Sequence, residues 1–174
     1  MKRVMIVGAP GSGKSMLAIA LGKKTGLPVH HMDKIHYKPG WVARTKAEKD
    51  RLTHEVHVQD RWILEGGHSN TYGERLARAD TFIWLDMPVG VRLFRVLRRS
   101  AKYYGQSRPD LPDGCVEPFN LETFEFLHSI WRTRHSARRK LEAIFSAPPA
   151  HLSVHRLETH ADVRQYLAGL ADGY

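Results

Sequence analysis

Cysteine is all but missing: Cys115 is the single one among 174 residues. That excludes an internal disulfide and any zinc site built on cysteines. Long apolar runs are missing too. No stretch approaches the ~18 apolar residues of a membrane helix. After Lys2-Arg3 the chain reaches Gly8 and Pro10 beyond only four apolar residues, short of the roughly 7–15 of a secretory signal core. We therefore expect a cytoplasmic protein without a membrane partner. No repeat, low-complexity tract or Ser/Gly/Pro linker divides the sequence, so 1–174 reads as one domain. Acidic residues are scarce, 18 against 27 Lys plus Arg, which leaves a formal charge of +9. A basic balance suits nucleotides, nucleic acid or acidic lipid and does not choose among them. No helix-turn-helix, zinc-finger or RNA-binding signature accompanies it.

What is present is an alternation of short apolar runs with longer helical patterns. Strands are expected at Arg3 to Val7, around Pro28 to Met32, at Trp62 to Leu64, at Thr81 to Leu85 and at Leu152 to Val154. Helices are expected from Lys14 to about Lys24, Thr45 to about Gln59, Pro88 to Tyr103, about Asn120 to Phe145 and Ala161 to Leu170. Phe124, Leu127 and Trp131 form one stripe on the fourth of these. Gly105 to Pro118 reads as a loop. Strands alternating with helices indicate βαβ units, a parallel sheet and an α/β fold. Ligands of such sheets bind beyond the carboxyl ends of the strands.

The first such end carries Gly8-Ala9-Pro10-Gly11-Ser12-Gly13-Lys14-Ser15, a complete G-x-x-x-x-G-K-[ST] motif between a strand and a helix. Glycines let the backbone curl so that successive N–H groups face phosphate oxygens. The helix N-terminus adds partial positive charge. Lys14 is expected on the β- and γ-phosphates of ATP, Ser15 on Mg²⁺, and Met16 completes the nucleotide-contacting run.

Other strand ends carry Glu65-Gly66-Gly67 and Asp86-Met87-Pro88, followed by a helix with Arg92, Arg95, Arg98 and Arg99 and by Tyr104-Gly105-Gln106-Ser107-Arg108-Pro109-Asp110. This order resembles the adenylate kinase and nucleoside monophosphate kinase superfamily. The resemblance implies a P-loop three-layer α/β/α sandwich, a five-stranded parallel sheet of order 2-3-1-4-5, and a lid at about 100–135. It also implies helix arginines at Arg95 and Arg99, a lid arginine at Arg108, and Glu65 near the metal with Ser15, where that superfamily usually has Asp. A similarity over nearly the whole chain is to the DNA topology modulation proteins of FlaR type, which are adenylate kinase-related. It is carried by His31-Met32-Asp33-Lys34, Lys38-Pro39-Gly40-Trp41, Glu65-Gly66-Gly67, Ser107-Arg108-Pro109-Asp110 and Ile130-Trp131-Arg132-Thr133-Arg134.

Arg95 and Arg99 are four apart and share a helix face, and arginine presents a planar fork suited to phosphate. Asp33 follows the second strand and is placed to orient or deprotonate an acceptor hydroxyl. Asp86 reads as a cap of the next helix, and Trp41 as an acceptor-pocket wall or a plug at the domain edge. The eleven histidines read as ordinary surface or core residues. The leading reading is an ATP- and Mg²⁺-dependent phosphotransferase, monomeric or weakly dimeric, with Lys14, Asp33, Arg95, Arg99 and Arg108 as catalytic residues and a nucleotide or small molecule as acceptor. The alternative is an ATP-regulated DNA-associated protein without small-molecule kinase activity.

Overall fold

Val4 to Val7 are fully buried, which requires apolar neighbours on both faces of β1 (Arg3–Gly8) and a central place in a sheet. In the computed structural model, which describes residues 1–170, four further strands join it. They are β2 (Val29–His31), β3 (Trp62–Glu65), β4 (Thr81–Leu85) and β5 (Ser153–Leu157). Numbered in this way along the chain, the five strands are all parallel and stand in the order β2-β3-β1-β4-β5, as expected. The helices are α1 (Lys14–Thr25), α2 (Met32–His36), α3 (Lys46–His57), α4 (Tyr72–Arg78), α5 (Val89–Lys102), α6 (Leu121–Ser146) and α7 (His160–Ala168).

Side chains of a strand alternate between faces, and the two cores follow that alternation. Val4 and Ile6 pack with Leu17 and Leu21 of α1 and Val163 and Leu167 of α7. Met5 and Val7 pack on the other side with Val56 of α3, Leu76 of α4 and Leu141 of α6. The result is the expected three-layer sandwich. Its consequence for function is geometric: every strand delivers its carboxyl end to one edge, and Gly8, His31, Glu65, Leu85 and Leu157 close those ends. No helix among the described residues is long and apolar enough to cross a membrane.

Three local expectations are corrected. The segment after β2 contains the short α2 and a small antiparallel hairpin, Tyr37–Lys38 with Val42–Ala43, turned by a 3-10 segment Pro39–Trp41. A five-residue helix and two-residue strands are too short for a hydrophobic period to reveal. Helix α4 likewise escaped the pattern, because its seven residues are mostly polar and its inward group is an arginine, Arg75. The stripe of α6 does not make its core contact. Phe124 and Trp131 are exposed, and Ile130 and Leu141 are buried instead. Phe124 joins Phe119 and Tyr104 in an exposed aromatic row, and the Arg134 guanidinium covers the Trp131 ring at 4.0 Å.

Candidate active site

The glycine-rich turn after β1 is held tightly against its neighbours. A Cβ on Gly8 would stand 2.6 Å from the Leu85 carbonyl oxygen, and one on Gly11 2.4 Å from that of Arg92. Both residues also have positive φ, 151° and 78°, so no other residue suits either position. The Ser12 N–H donates to the Ala9 carbonyl oxygen at 3.2 Å. The Ser12 hydroxyl is buried and without a partner. Lys14 bends back into the loop, and its Nζ donates to the Ala9 carbonyl oxygen at 3.3 Å. Burial lowers the Lys14 pKa, and the Glu65 and Asp33 carboxylates partly offset that effect.

The ends of the first three strands meet around Glu65. Its Oε1 accepts from the Ser15 hydroxyl at 3.1 Å and from His31 Nδ1 at 2.8 Å. Glu65 is 3% exposed. Its orientation is set from beneath by Arg75, which is fully buried. Arg75 Nη1 donates to the Gly66 carbonyl at 2.9 Å and Nη2 to the Leu64 carbonyl at 3.0 Å. One guanidinium thus holds the backbone on both sides of the carboxylate. Asp33, in α2, lies within the field of the same groups. Burial raises its pKa, Glu65 raises it further, and Lys14 and Arg108 act in the opposite direction.

The arginines expected on phosphate divide into three kinds. Arg95 braces the P-loop: its Nη1 donates to the Ser12 carbonyl at 2.9 Å, and its other branch meets His160. Arg92 is buried, with Nε donating to the Met87 carbonyl. Arg99 and Arg108 converge on Glu117. Arg108 Nε is 2.5 Å and Arg99 Nε 3.7 Å from its Oε1, and Arg108 Nη1 also reaches Asp110 Oδ2 at 3.4 Å. Arg108 is only 7% exposed. The structure therefore brings Lys14, Ser15, Asp33, Glu65 and Arg108 into one electrostatic neighbourhood, with Arg99 at its margin and Arg95 behind the loop. Met16 points outward at 73% exposure.

Asp86 is corrected. It does not cap α5, whose N-cap is Pro88. It accepts instead from Arg156 at 2.6 Å and from Arg138 at 2.9 Å.

Trp41 fastens the hairpin to the 103–120 loop. Its indole Nε1 donates to the Val116 carbonyl at 2.7 Å, and its backbone N–H meets Cys115 Sγ at 3.3 Å. The Cys115 thiol in turn donates to the Lys38 carbonyl at 3.6 Å. Trp41 has φ +62°, a conformation costing roughly 1–3 kcal/mol for such a residue, and these bonds offset the cost. A thiol-reactivity measurement tests the fastening, since Cys115 is fully buried. Ellman's reagent should label the native protein slowly, and Trp41→Ala should speed labelling about tenfold or more, as expected for losing bonds of about 1 kcal/mol each. An unchanged rate would mean that Trp41 does not hold the loop.

No protein-family model matches the chain, and no curated protein matches it. Solved structures do match. Shikimate kinase from Acinetobacter baumannii in complex with shikimate aligns with TM-score 0.57 at 16% identity, over 97% of this chain and 89% of that one. A gluconokinase from Sinorhizobium meliloti 1021 aligns with TM-score 0.53 at 14% identity, over 97% and 90%. Shikimate kinase from Bacteroides thetaiotaomicron aligns with TM-score 0.52 at 15% identity, over 96% and 94%. The chain has the P-loop kinase fold. Within that fold Lys14 and Ser15 open α1, and Asp33 and Glu65 stand at the ends of the two strands on one side of β1.

Sequence reasoning missed His31 as the partner of Glu65, Glu117 as the anchor of two arginines, and Arg75. A histidine between His30 and Met32 and an arginine in a polar helix carry no pattern of their own. Their roles come from neighbours 34, 18 and 11 positions away or less.

Proposed function

We propose that this protein is an ATP-dependent phosphotransferase that moves the γ-phosphoryl group to a hydroxyl of a small acceptor. The observation that carries the reading is the meeting of Lys14, Ser15 and Glu65 with the buried carboxyl of Asp33 at adjacent strand ends. The names of the shikimate kinases and the gluconokinase, both kinases of hydroxyl compounds, support it. Magnesium fits the site: the Ser15 hydroxyl and Glu65 carboxylate are hard oxygen donors already 3.1 Å apart. When bound there, the ion supplies neutralising charge to the β- and γ-phosphate oxygens.

Residues of the chain do the rest. Backbone N–H groups of Gly11 to Ser15 cradle the phosphates. Lys14 exchanges the Ala9 carbonyl for phosphate oxygens and stabilises the charge that moves during transfer. Asp33 accepts the proton of the attacking hydroxyl. Arg99 from α5 and Arg108 from the 103–120 loop, which acts as the lid, add positive charge. Glu117 and Asp110 hold Arg108 in its orientation. Arg95 keeps the P-loop in shape through Ser12.

Asp33→Asn tests this assignment. Acceptor-dependent kcat should fall about 10²–10⁴-fold, the usual share of a general base, with KM for ATP nearly unchanged. The wild-type profile should also have an acidic limb. Asp33 works ionised, and its pKa is raised by burial and by Glu65. Activity should therefore fall as pH drops through a value above the ordinary carboxylate range, and the variant should lack that limb. An Asn variant with full turnover would remove Asp33 from the chemistry.

A second reading, ATP-regulated DNA association, draws on the FlaR-type resemblance and the charge of +9. It is favoured by the exposed Arg132, Arg139 and Lys140 of α6. Salt separates the two readings. DNA retention falls steeply with ionic strength, whereas phosphoryl transfer depends on Lys14 at any fixed salt.

A further inference from the structure

We propose that the outer face of α6 is the contact surface for a second copy of this chain, with the two α6 helices antiparallel about a two-fold axis. This surface is separate from the strand-end site, and the proposal does not depend on the phosphotransferase reading.

Leu121, Phe124 and Trp131 fall on one side of α6, three and seven residues apart. They are 79%, 56% and 48% exposed. The inward side of the helix is already served by Thr123, Ile130 and Leu141, which are buried. The stripe is therefore not a core face left half covered. It also extends beyond the helix: the Phe119 ring lies 6.3 Å from Phe124 and 6.5 Å from Tyr104. The Arg134 guanidinium rests on the Trp131 ring at 4.0 Å and fixes its attitude. A contiguous exposed apolar patch marks a site of association, and aromatic and arginine side chains are the ones enriched in the centre of protein interfaces.

The charges beside the stripe select the partner. Glu125 and Arg132 stand seven residues apart, so they lie on one line along the helix. Both are exposed, and neither makes an ion pair or a side-chain hydrogen bond among the described residues. Two helical turns, about 10 Å, separate them, too far for them to pair with each other. A second α6 running the opposite way reverses their order. Glu125 of each copy then faces Arg132 of the other, and both pairs form at once. The same two-fold sets Phe124 of each copy against Trp131 of the other and brings the two His128 rings near the axis. This is the self-complementarity that a closed two-fold contact requires. Parallel helices would instead set Glu125 on Glu125 and Arg132 on Arg132. A polyanionic surface fits less well, because Glu122 and Glu125 stand beside Leu121 and Phe124, where the aromatic row is densest.

Sedimentation equilibrium of the full chain tests the proposal over about 1–200 µM, a range that brackets micromolar association. The expected result is a particle of two chains at the upper end. Glu125→Arg and Arg132→Glu, made singly, each create two like-charge contacts per dimer and should raise Kd about tenfold or more. The double reversal, Glu125→Arg with Arg132→Glu, restores both pairs and should bring Kd back to within about threefold of wild type. Trp131→Ser should leave single chains. All three positions are exposed, so thermal melts of the variants should match the wild type and exclude unfolding as the cause. A wild type that stays a single chain throughout overturns the proposal. So do single reversals that associate like the wild type, or a double reversal no better than the singles. Retention of single chains on phosphatidylserine vesicles or on duplex DNA, lost in Trp131→Ser, would give the face to that partner and overturn the proposal as well.

Discussion

Lys14→Ala should lower kcat/KM for phosphoryl transfer about a thousandfold, some 4 kcal/mol of transition-state stabilisation, while the protein stays folded. The two halves of that expectation have one origin. The Lys14 ammonium is withdrawn from water into the loop, and the first effect on its pKa is the cost of that burial. In the free protein its hydrogen bond is a single, long one, 3.3 Å to the Ala9 carbonyl. A group held at such cost, with so little to satisfy it, contributes little to folding, and its removal should shift Tm by no more than about 3 °C. Its charge finds full use only against phosphate oxygens, so the loss falls on turnover. Steady-state kinetics beside a thermal melt measures both. A variant that loses its fold together with its activity would assign Lys14 a structural role, and one that keeps turnover would remove the P-loop from the mechanism.

Arg75→Met should be the most damaging single substitution outside the P-loop, costing about 3–5 kcal/mol in a urea titration. That is the scale for breaking a buried charged network. Arg75 is fully buried and satisfies the Leu64 and Gly66 carbonyls together. Methionine fills most of the volume and satisfies neither, and each unmet buried carbonyl costs roughly 1–3 kcal/mol. The affected backbone carries Glu65, so variants that still fold should also need more Mg²⁺ for half-maximal activity. Arg75→Lys recovers only part of the loss, because one ammonium cannot span two carbonyls with the geometry of a fork. A loss under about 1 kcal/mol, with Mg²⁺ dependence unchanged, would mean that the clasp on Glu65 is not what fixes it.

Much of this architecture was legible in the residues, for physical reasons that also mark where legibility ends. The central strands are apolar throughout because both faces are covered, so Val4 to Val7 and Phe82 to Leu85 announce themselves. The P-loop is legible because few residues tolerate the approach at Gly8 and Gly11. The resemblance to the nucleotide kinases implied Ser15 and Glu65 as neighbours near a metal, and their side chains lie 3.1 Å apart. What was not legible depends on contacts between distant segments. Four arginines on α5 look alike in sequence. The fold sends Arg95 to the Ser12 carbonyl, Arg99 toward Glu117 and Arg92 to the Met87 carbonyl, and leaves Arg98 exposed. Asp86 beside Pro88 looks like a cap, and only the arrival of Arg156 from β5 and Arg138 from α6 turns it into an ion-pair centre. The stripe of Phe124 and Trp131 has the spacing of a core face, yet Ile130 and Leu141 are the buried residues of α6, and Leu141 joins the core beside the sheet.

The most direct measurement of the central claim is ADP release from Mg·ATP by the full chain, with and without added hydroxyl acceptors, beside recovery of the phosphoryl group on the acceptor. The expected result is ADP formation that rises with acceptor, matches phosphorylated product one for one, and disappears in Lys14→Ala. ADP release indifferent to every acceptor, or equal in wild type and Lys14→Ala, would contradict it.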